Sequence, residues 1–210
     1  MWMPKETRYA SIAIQQYLGY DNAAFAARKG VMMAKHVIDE VAGFYRIIEL
    51  KAFRRTEGVS FDVVPMEFLP HIEGIDRVVH KRFALSPGSV GDIERPWYMH
   101  PYQEDNLLVL HGSRSVDIFT MKHKRMESFV VEPERIIRNG EVVYEGPAML
   151  VWPTGVFHRI TSGEEGSASL NFASRLPGFD VKTNFNVYDL DLATSKSTLL
   201  RSGYLDQNPS

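Results

Sequence analysis

The sequence contains no cysteine among its 210 residues, and this absence removes several chemistries at once. Disulfide scaffolds, thiolate zinc sites, iron–sulfur clusters and cysteine nucleophiles all require a cysteine sulfur. Any metal would therefore be held by histidine nitrogen and carboxylate oxygen. The chain has seven histidines, at positions 36, 71, 80, 100, 111, 123 and 158, which are the candidate nitrogen ligands.

The sequence also lacks an excess of charge of either sign. It has 24 Lys and Arg against 26 Asp and Glu, a formal net charge of -2. A broad positive field is therefore absent, which argues against nucleic acid as the main partner. No run approaches the roughly 18 uncharged apolar residues that a membrane span needs, and the N-terminus lacks the apolar core of a signal peptide. We therefore expect a cytoplasmic protein with no membrane or nucleic-acid partner.

Helical patterning is confined to the N-terminal region, residues 1–45. Met33, Val37 and Val41 repeat at i, i+4 and i+8, which predicts an amphipathic helix that ends at Gly43. An apolar stripe of this kind packs on the main domain or on another subunit. The pattern therefore predicts a helical N-terminal extension over residues 1–45.

From residue 46 to residue 190 the sequence breaks into short strand-like runs separated by Gly, Pro and Asn. Asn139-Gly140, between RII and VVY, predicts a two-residue type I′ hairpin, because both positions need positive φ. Many short strands separated by about 8–12 residues indicate a sandwich or barrel rather than alternating β-α units. The last residues, 191–210, are expected to form an arm or frayed tail.

Two segments concentrate the residues that can carry chemistry. In the first, Tyr98 and His100 share one face of a strand, because side chains two apart point the same way. A turn then brings Glu104 or Asp105 beside His100, and a carboxylate next to an imidazole is half of a metal site. The second segment, GPAMLVWPTGVFH, ends at His158 after a tight turn. Four other histidines have charged neighbours and are expected at the surface: His36, His71, His80 and His123.

The spacing of these residues resembles the two motifs of the cupin family. The first family motif, G(X)5HXH(X)3-4E(X)6G, corresponds here to Gly91-x6-Tyr98-x-His100-x4-Asp105-x6-Gly112. The second, G(X)5PXG(X)2H(X)3N, corresponds to Gly146-x6-Pro153-x-Gly155-x2-His158-x3-Ser162. Three family residues differ: the first histidine is Tyr98, the glutamate is Asp105 and the final asparagine is Ser162.

The resemblance implies a mainly β fold, a cupin-type double-stranded β-helix (jelly-roll) barrel over residues 46–190, and a homodimer. By position, it makes His100, Asp105 and His158 the ligands of a divalent metal (Fe, Zn, Mn or Ni). Tyr98 or Glu104 could then serve as proton donor or acceptor. The implied function is a dioxygenase, or an isomerase or lyase, acting on a keto-acid or sugar-like substrate.

The histidine missing at position 98 leaves other functions open. A metal-free cupin could bind a small ligand or serve as a structural or regulatory module, with His158 and Tyr98 as hydrogen-bond partners of the ligand. A metal-free epimerase with a His–Asp proton relay is a weaker third option. His111, one strand length away from the other candidates, has the strand parity of Asp105 and is the remaining histidine to place.

Overall fold

The structure, a computed structural model, describes residues 36–69 and 71–207. Within these residues the chain is mainly β, and its fifteen strands form one 13-stranded sheet and one two-stranded sheet. The strands are β1 Val37–Val41, β2 Tyr45–Glu49, β3 Lys51–Thr56, β4 Val59–Val63, β5 Gly74–His80, β6 Leu85–Ser86, β7 Trp97–Met99, β8 Gln103–Phe119, β9 Met126–Glu132, β10 Arg135–Arg138, β11 Glu141–Glu145, β12 Ala148–Trp152, β13 Phe157–Arg175, β14 Val187–Asp191 and β15 Lys196–Arg201. A single helical turn, α1 Val181–Asn184, precedes β14.

The prediction of a helical N-terminal extension is wrong for the residues that can be compared. Residues 1–35 lie outside the described residues, but Val37–Val41 form strand β1, antiparallel to β2. Residues four apart share a face in a strand as well as in a helix, so the spacing of Val37 and Val41 fits both. Gly43, expected to end the helix, instead has φ +74° in the turn between β1 and β2.

Two long strands organise the large sheet. β8 has 17 residues and β13 has 19, and they pair antiparallel along most of their length. They approach closely at Gly112, where a Cβ would lie 2.1 Å from the backbone oxygen of Gly166. On either side of this point β8 exchanges its second neighbour, from β12 in its first half to β9 in its second. The inward side chains of both halves of β8 and β13 therefore face the same interior.

The predicted hairpin at Asn139-Gly140 is confirmed. Arg138 pairs with Glu141 across the turn, and Asn139 and Gly140 have φ values of 51° and 87°. The Asn139 side chain also accepts a hydrogen bond from the Ser128 backbone N–H on β9 (2.9 Å). The turn is therefore fixed both by its own φ values and by a bond to the neighbouring strand.

The C-terminal segment, expected as an arm or tail, contains regular structure as far as Asp206. β14 pairs with β7 through Val187 and Tyr98, and β15 returns along β14. A 3-10 turn, Gly203–Asp206, follows and brings Asp206 to the mouth of the interior pocket. Among residues 36–69 and 71–207, no helix has the length and hydropathy that a membrane span requires.

Candidate functional site

A pocket of about 300 Å³ opens from the interior of the large sheet. Its walls come from β5, β7, β8, β12 and β13 and from the segment around Phe185. Strand alternation explains which side chains face it: Gln103, Asp105 and Leu107 lie two apart on β8 and all line the pocket. The hydrophobic core continues behind Leu107 and Trp152, which border both regions.

His100, Asp105 and His158 meet inside this pocket. Nε2 of His100 lies 3.3 Å from Oδ2 of Asp105, and Nε2 of His158 lies 3.8 Å from the same oxygen. All three residues are buried, and one ligand atom from each falls within 4.8 Å of the others. The structure thus brings together the three residues that the motif spacing nominates as metal ligands.

The hydrogen bonds of the two imidazoles fix which ring nitrogen carries the proton. Nδ1 of His100 donates to the backbone oxygen of Asn184 (2.6 Å), and Nδ1 of His158 donates to that of Val156 (3.3 Å). In a neutral imidazole with its proton on Nδ1, Nε2 carries a lone pair. Both lone pairs face Oδ2 of Asp105, which is itself an acceptor. A cation, either a proton or a metal ion, is needed to make this arrangement favourable.

His158 does not supply that cation at neutral pH. Burial, together with the neighbouring His100, lowers the pKa of His158 to about 4, and the opposing effect of Asp105 is smaller. The His158 ring is therefore neutral near pH 7, with its Nε2 lone pair available. This is the protonation state in which histidine binds a metal ion.

Asp105 is held so that one of its oxygens stays free. Oδ1 accepts hydrogen bonds from Nε2 of Gln103 and Nδ2 of Asn171, each at 2.8 Å. These two donors fix the orientation of the carboxylate and leave Oδ2 directed at the histidines. Asn171, on β13, was not among the residues nominated from the sequence.

Tyr98 lines the same pocket beside both histidines. Its ring centroid lies 6.0 Å from that of His100 and 5.9 Å from that of His158. Burial, and to a smaller extent the charge of Asp206, raises the pKa of Tyr98. The phenol therefore stays protonated at neutral pH and can donate a hydrogen bond or a proton. Phe185 packs against His100 at 4.9 Å and closes another wall.

Glu104 is not brought into the pocket. It follows Gln103 and precedes Asp105 on β8, so strand alternation points its side chain to the opposite face. There it accepts a hydrogen bond from Arg46 Nη2 at 3.2 Å. Burial raises the pKa of Glu104, which Arg46 partly offsets. The role of proton donor or acceptor expected for Glu104 therefore has no geometric support.

His80 and Arg114 are further pocket residues that the sequence analysis did not nominate. His80, expected at the surface, lines the pocket because it alternates with Asp76 and Val78 on β5. Arg114 also lines the pocket and is only 2% exposed. Arg114 has the strand parity of the buried residues Val116 and Ile118. This alternation places a charged side chain at an inward position, which could have identified Arg114 from the sequence. His111 is exposed and lies outside this pocket.

Comparisons with known proteins find distant structural similarity to solved structures. No family model matches the chain, and no curated protein matches it. Among solved structures, a 3,4-ketoisomerase from Helicobacter canadensis has 16% identity and a TM-score of 0.45, covering 63% of this chain and 84% of its own. A sugar 3,4-ketoisomerase from Thermoanaerobacterium thermosaccharolyticum, in complex with TDP, has 15% identity and a TM-score of 0.46, with coverages of 67% and 85%.

A third similar structure is the dTDP-4-dehydrorhamnose 3,5-epimerase from Bacillus anthracis, with TDP and PPi bound. It has 11% identity and a TM-score of 0.49, covering 67% of this chain and 77% of its own. All three proteins carry the names of isomerases or epimerases, and each TM-score is below 0.5. At this level of similarity their activities are not transferred to this chain.

Proposed function

We propose that this chain is a metal-dependent enzyme that acts on a small molecule within a cupin-type jelly-roll barrel. His100, Asp105 and His158 are the proposed ligands of a divalent ion. The observation that carries the proposal is the direction of the lone pairs: two Nε2 atoms and one carboxylate oxygen converge, while both Nδ1 protons go to backbone carbonyls. Metal-ligating histidines characteristically donate their other ring N–H in this way.

The donor set fits a first-row divalent ion. Two ligands bound at about 2.1 Å in a tetrahedral site lie roughly 3.4 Å apart. The distances from Oδ2 of Asp105 to the two histidine Nε2 atoms, 3.3 and 3.8 Å, are close to that separation. Two imidazoles and one carboxylate suit Fe, Zn, Mn or Ni and leave open positions for a substrate.

The surrounding residues support proton transfer on a bound substrate. A divalent ion bound here would polarise a substrate oxygen as a Lewis acid. Tyr98 is a protonated phenol facing the same space, so it can donate to a substrate oxygen. Trp152 and Phe185 exclude water from the histidines. Among the classes expected from the sequence, an isomerase or lyase uses these features most directly, and the dioxygenase stays a prediction.

One distance favours a second candidate function. Nε2 of His100 lies 3.3 Å from Oδ2 of Asp105, close enough for the pair to share a proton in place of a metal ion. A metal-free enzyme could then use His100 and Asp105 as a proton relay, with Tyr98 as the acid on the other side. The two candidates differ in whether the purified protein binds a metal ion.

The test is metal content by mass spectrometry after expression in medium supplemented with Fe, Zn, Mn and Ni. We expect close to one ion per chain in the wild type and a loss of that ion in His100→Ala and His158→Ala. His111→Ala is the matched control, because His111 is exposed and outside the pocket. If the wild type holds no more metal than the two pocket variants, the metal-dependent function is wrong and the proton relay remains.

A further inference from the structure

Arg114 is a buried cation in the wall of the pocket. Its Nε donates to Oγ of Ser167 (3.1 Å), and its Nη2 donates to the backbone oxygen of Val78 (3.2 Å). Both acceptors are neutral, so neither balances the charge of the guanidinium. Nη1 has no hydrogen-bond partner among residues 36–69 and 71–207.

The lack of a carboxylate partner sets Arg114 apart from more exposed arginines. Several half-buried arginines form ion pairs: Arg46 with Glu104, Arg138 with Asp39, and Arg159 with Asp117. Arg114 is more deeply buried than these, yet within the described part of the chain no carboxylate pairs with it. Burial lowers the pKa of Arg114 to about 10, so it is still charged at neutral pH. A buried charge with no counter-charge is costly, and a purely structural role does not account for it.

We propose that Arg114 binds a carboxylate of the small molecule that enters the pocket. A ligand carboxylate supplies the missing counter-charge, and the planar guanidinium can present two N–H groups to it in parallel. The inference rests on the proposed function, because it assumes that the pocket takes a small molecule. It does not require that the metal be present.

His80 adds a neutral donor or acceptor at the same end of the pocket. His80 pairs in register with Ser167, the residue that Arg114 Nε contacts. Burial, and to a smaller extent the charge of Arg114, lowers the pKa of His80 to about 4, so the ring is neutral at pH 7. Its Nδ1 is buried without a hydrogen-bond partner in the described structure. A carboxylate at Arg114 could therefore accept a second hydrogen bond from His80.

The sheet register separates Arg114 from His158 along the pocket. Arg114 pairs with Ser162, whereas His158 pairs with Ile118, so the two pocket ends lie four residues apart on the same strand pair. Four residues of extended strand span about 13 Å, and both side chains shorten that gap by reaching into the pocket. The pocket lining combines the apolar side chains of Val78, Leu107 and Ile160 with the polar ones of Asp76, Gln103 and Asn171.

These features select one of the two substrate classes expected from the sequence. A short keto acid has a carboxylate for Arg114 and a carbonyl oxygen for the end near His158. A neutral sugar-like molecule would leave the charge of Arg114 unbalanced. The geometry therefore favours a keto-acid substrate.

The experiment compares a carboxylate with its uncharged amide on the full-length, metal-free protein. The probes are 4-oxopentanoate and 4-oxopentanamide, titrated by ligand-observed NMR after removal of metal with EDTA. We expect the wild type to bind the carboxylate at least about tenfold more tightly, the range for one charge-assisted pair. Arg114→Met should abolish the preference, and Arg114→Gln serves if the methionine variant does not fold. Arg159→Met is the matched control and should keep the preference, because Arg159 pairs with Asp117 outside the pocket.

Several outcomes would overturn the inference. The inference is wrong if the wild type binds the two probes with equal affinity or does not bind the carboxylate. It is also wrong if both Arg114 variants keep the preference for the carboxylate. A preference that appears only after Zn²⁺ is added, and persists in Arg114→Met, assigns the carboxylate to the metal instead. A separate Zn²⁺ titration of each variant tells the two proposals apart. If the wild type fails to bind Zn²⁺ but keeps an Arg114-dependent preference, the metal centre is wrong and the carboxylate site stands.

Discussion

The unbalanced charge of Arg114 predicts that its removal does not destabilise the fold. Burial lowers the pKa of Arg114 from 12.5 to about 10. At roughly 1.36 kcal/mol for each tenfold change in proton affinity, the charged form costs the folded state about 3 kcal/mol at pH 7. The sign follows because a base with a lowered folded-state pKa opposes folding at every pH below that pKa. Arg114→Met removes this cost and keeps most of the aliphatic volume.

The substitution also removes two hydrogen bonds, to Ser167 and to the backbone oxygen of Val78. At about 1 kcal/mol each, these losses leave a net gain of about 1 kcal/mol, or an increase in Tm of roughly 3 °C. The assay is thermal unfolding followed by circular dichroism at pH 7, without metal or ligand.

The matched control for stability is Arg159→Met. Arg159 donates from Nε to Asp117 at 2.9 Å and stacks over the Trp97 ring at 4.2 Å, so its loss breaks a balanced pair. We expect the Tm of Arg159→Met to fall by several degrees and that of Arg114→Met to stay level or rise. A fall for Arg114→Met as large as that of the control would show instead that Arg114 is a stabilising structural residue whose charge costs the fold nothing.

Three further predictions test other parts of the site and fold. Because the pKa of His80 is lowered to about 4, the unfolded chain takes up a proton between pH 6.5 and 4 that folded His80 does not. The free energy of unfolding should therefore decrease as the pH is lowered from 6.5 to 4. His80→Gln should make this decrease smaller in urea titrations, and an unchanged pH dependence would contradict the prediction. Gly112→Ala should cost about 2 kcal/mol or more, because its Cβ would meet Gly166 at 2.1 Å with φ +68°; a level urea midpoint would contradict this. Glu104→Gln breaks the pair with Arg46 and should cost less than about 1 kcal/mol while metal content stays the same; loss of metal would show that Glu104 acts in the site.

The three proposed metal ligands could be predicted from the sequence through their positions in the two cupin-like motifs. Strand alternation and tight turns fix where His100, Asp105 and His158 point, and both act over a few residues. The contacts that orient them are long-range. Asn184, whose carbonyl accepts from His100, lies 84 residues away in the chain, and no local pattern indicates that contact. Asn171 reaches Asp105 across 66 residues in the same way.

Two other outcomes show where sequence patterns are ambiguous. Val37 and Val41 share a face in a helix and in a strand, and pairing of β1 with β2 decides between them. His80 sits among charged neighbours, so only its strand register shows that it faces inward. Arg114 could have been identified, since its parity with Val116 and Ile118 places a charge at a buried position. A charge on the inward face of a strand is therefore a useful signal of a binding site.

Anomalous diffraction at the zinc absorption edge, from crystals grown with Zn²⁺, shows directly whether the pocket binds a metal ion. A metal centre at this site gives one strong peak in the pocket, about 2.0–2.2 Å from Nε2 of His100, Nε2 of His158 and Oδ2 of Asp105. An empty pocket, or a peak only at an exposed histidine such as His111, would contradict the assignment of these three residues as a metal centre.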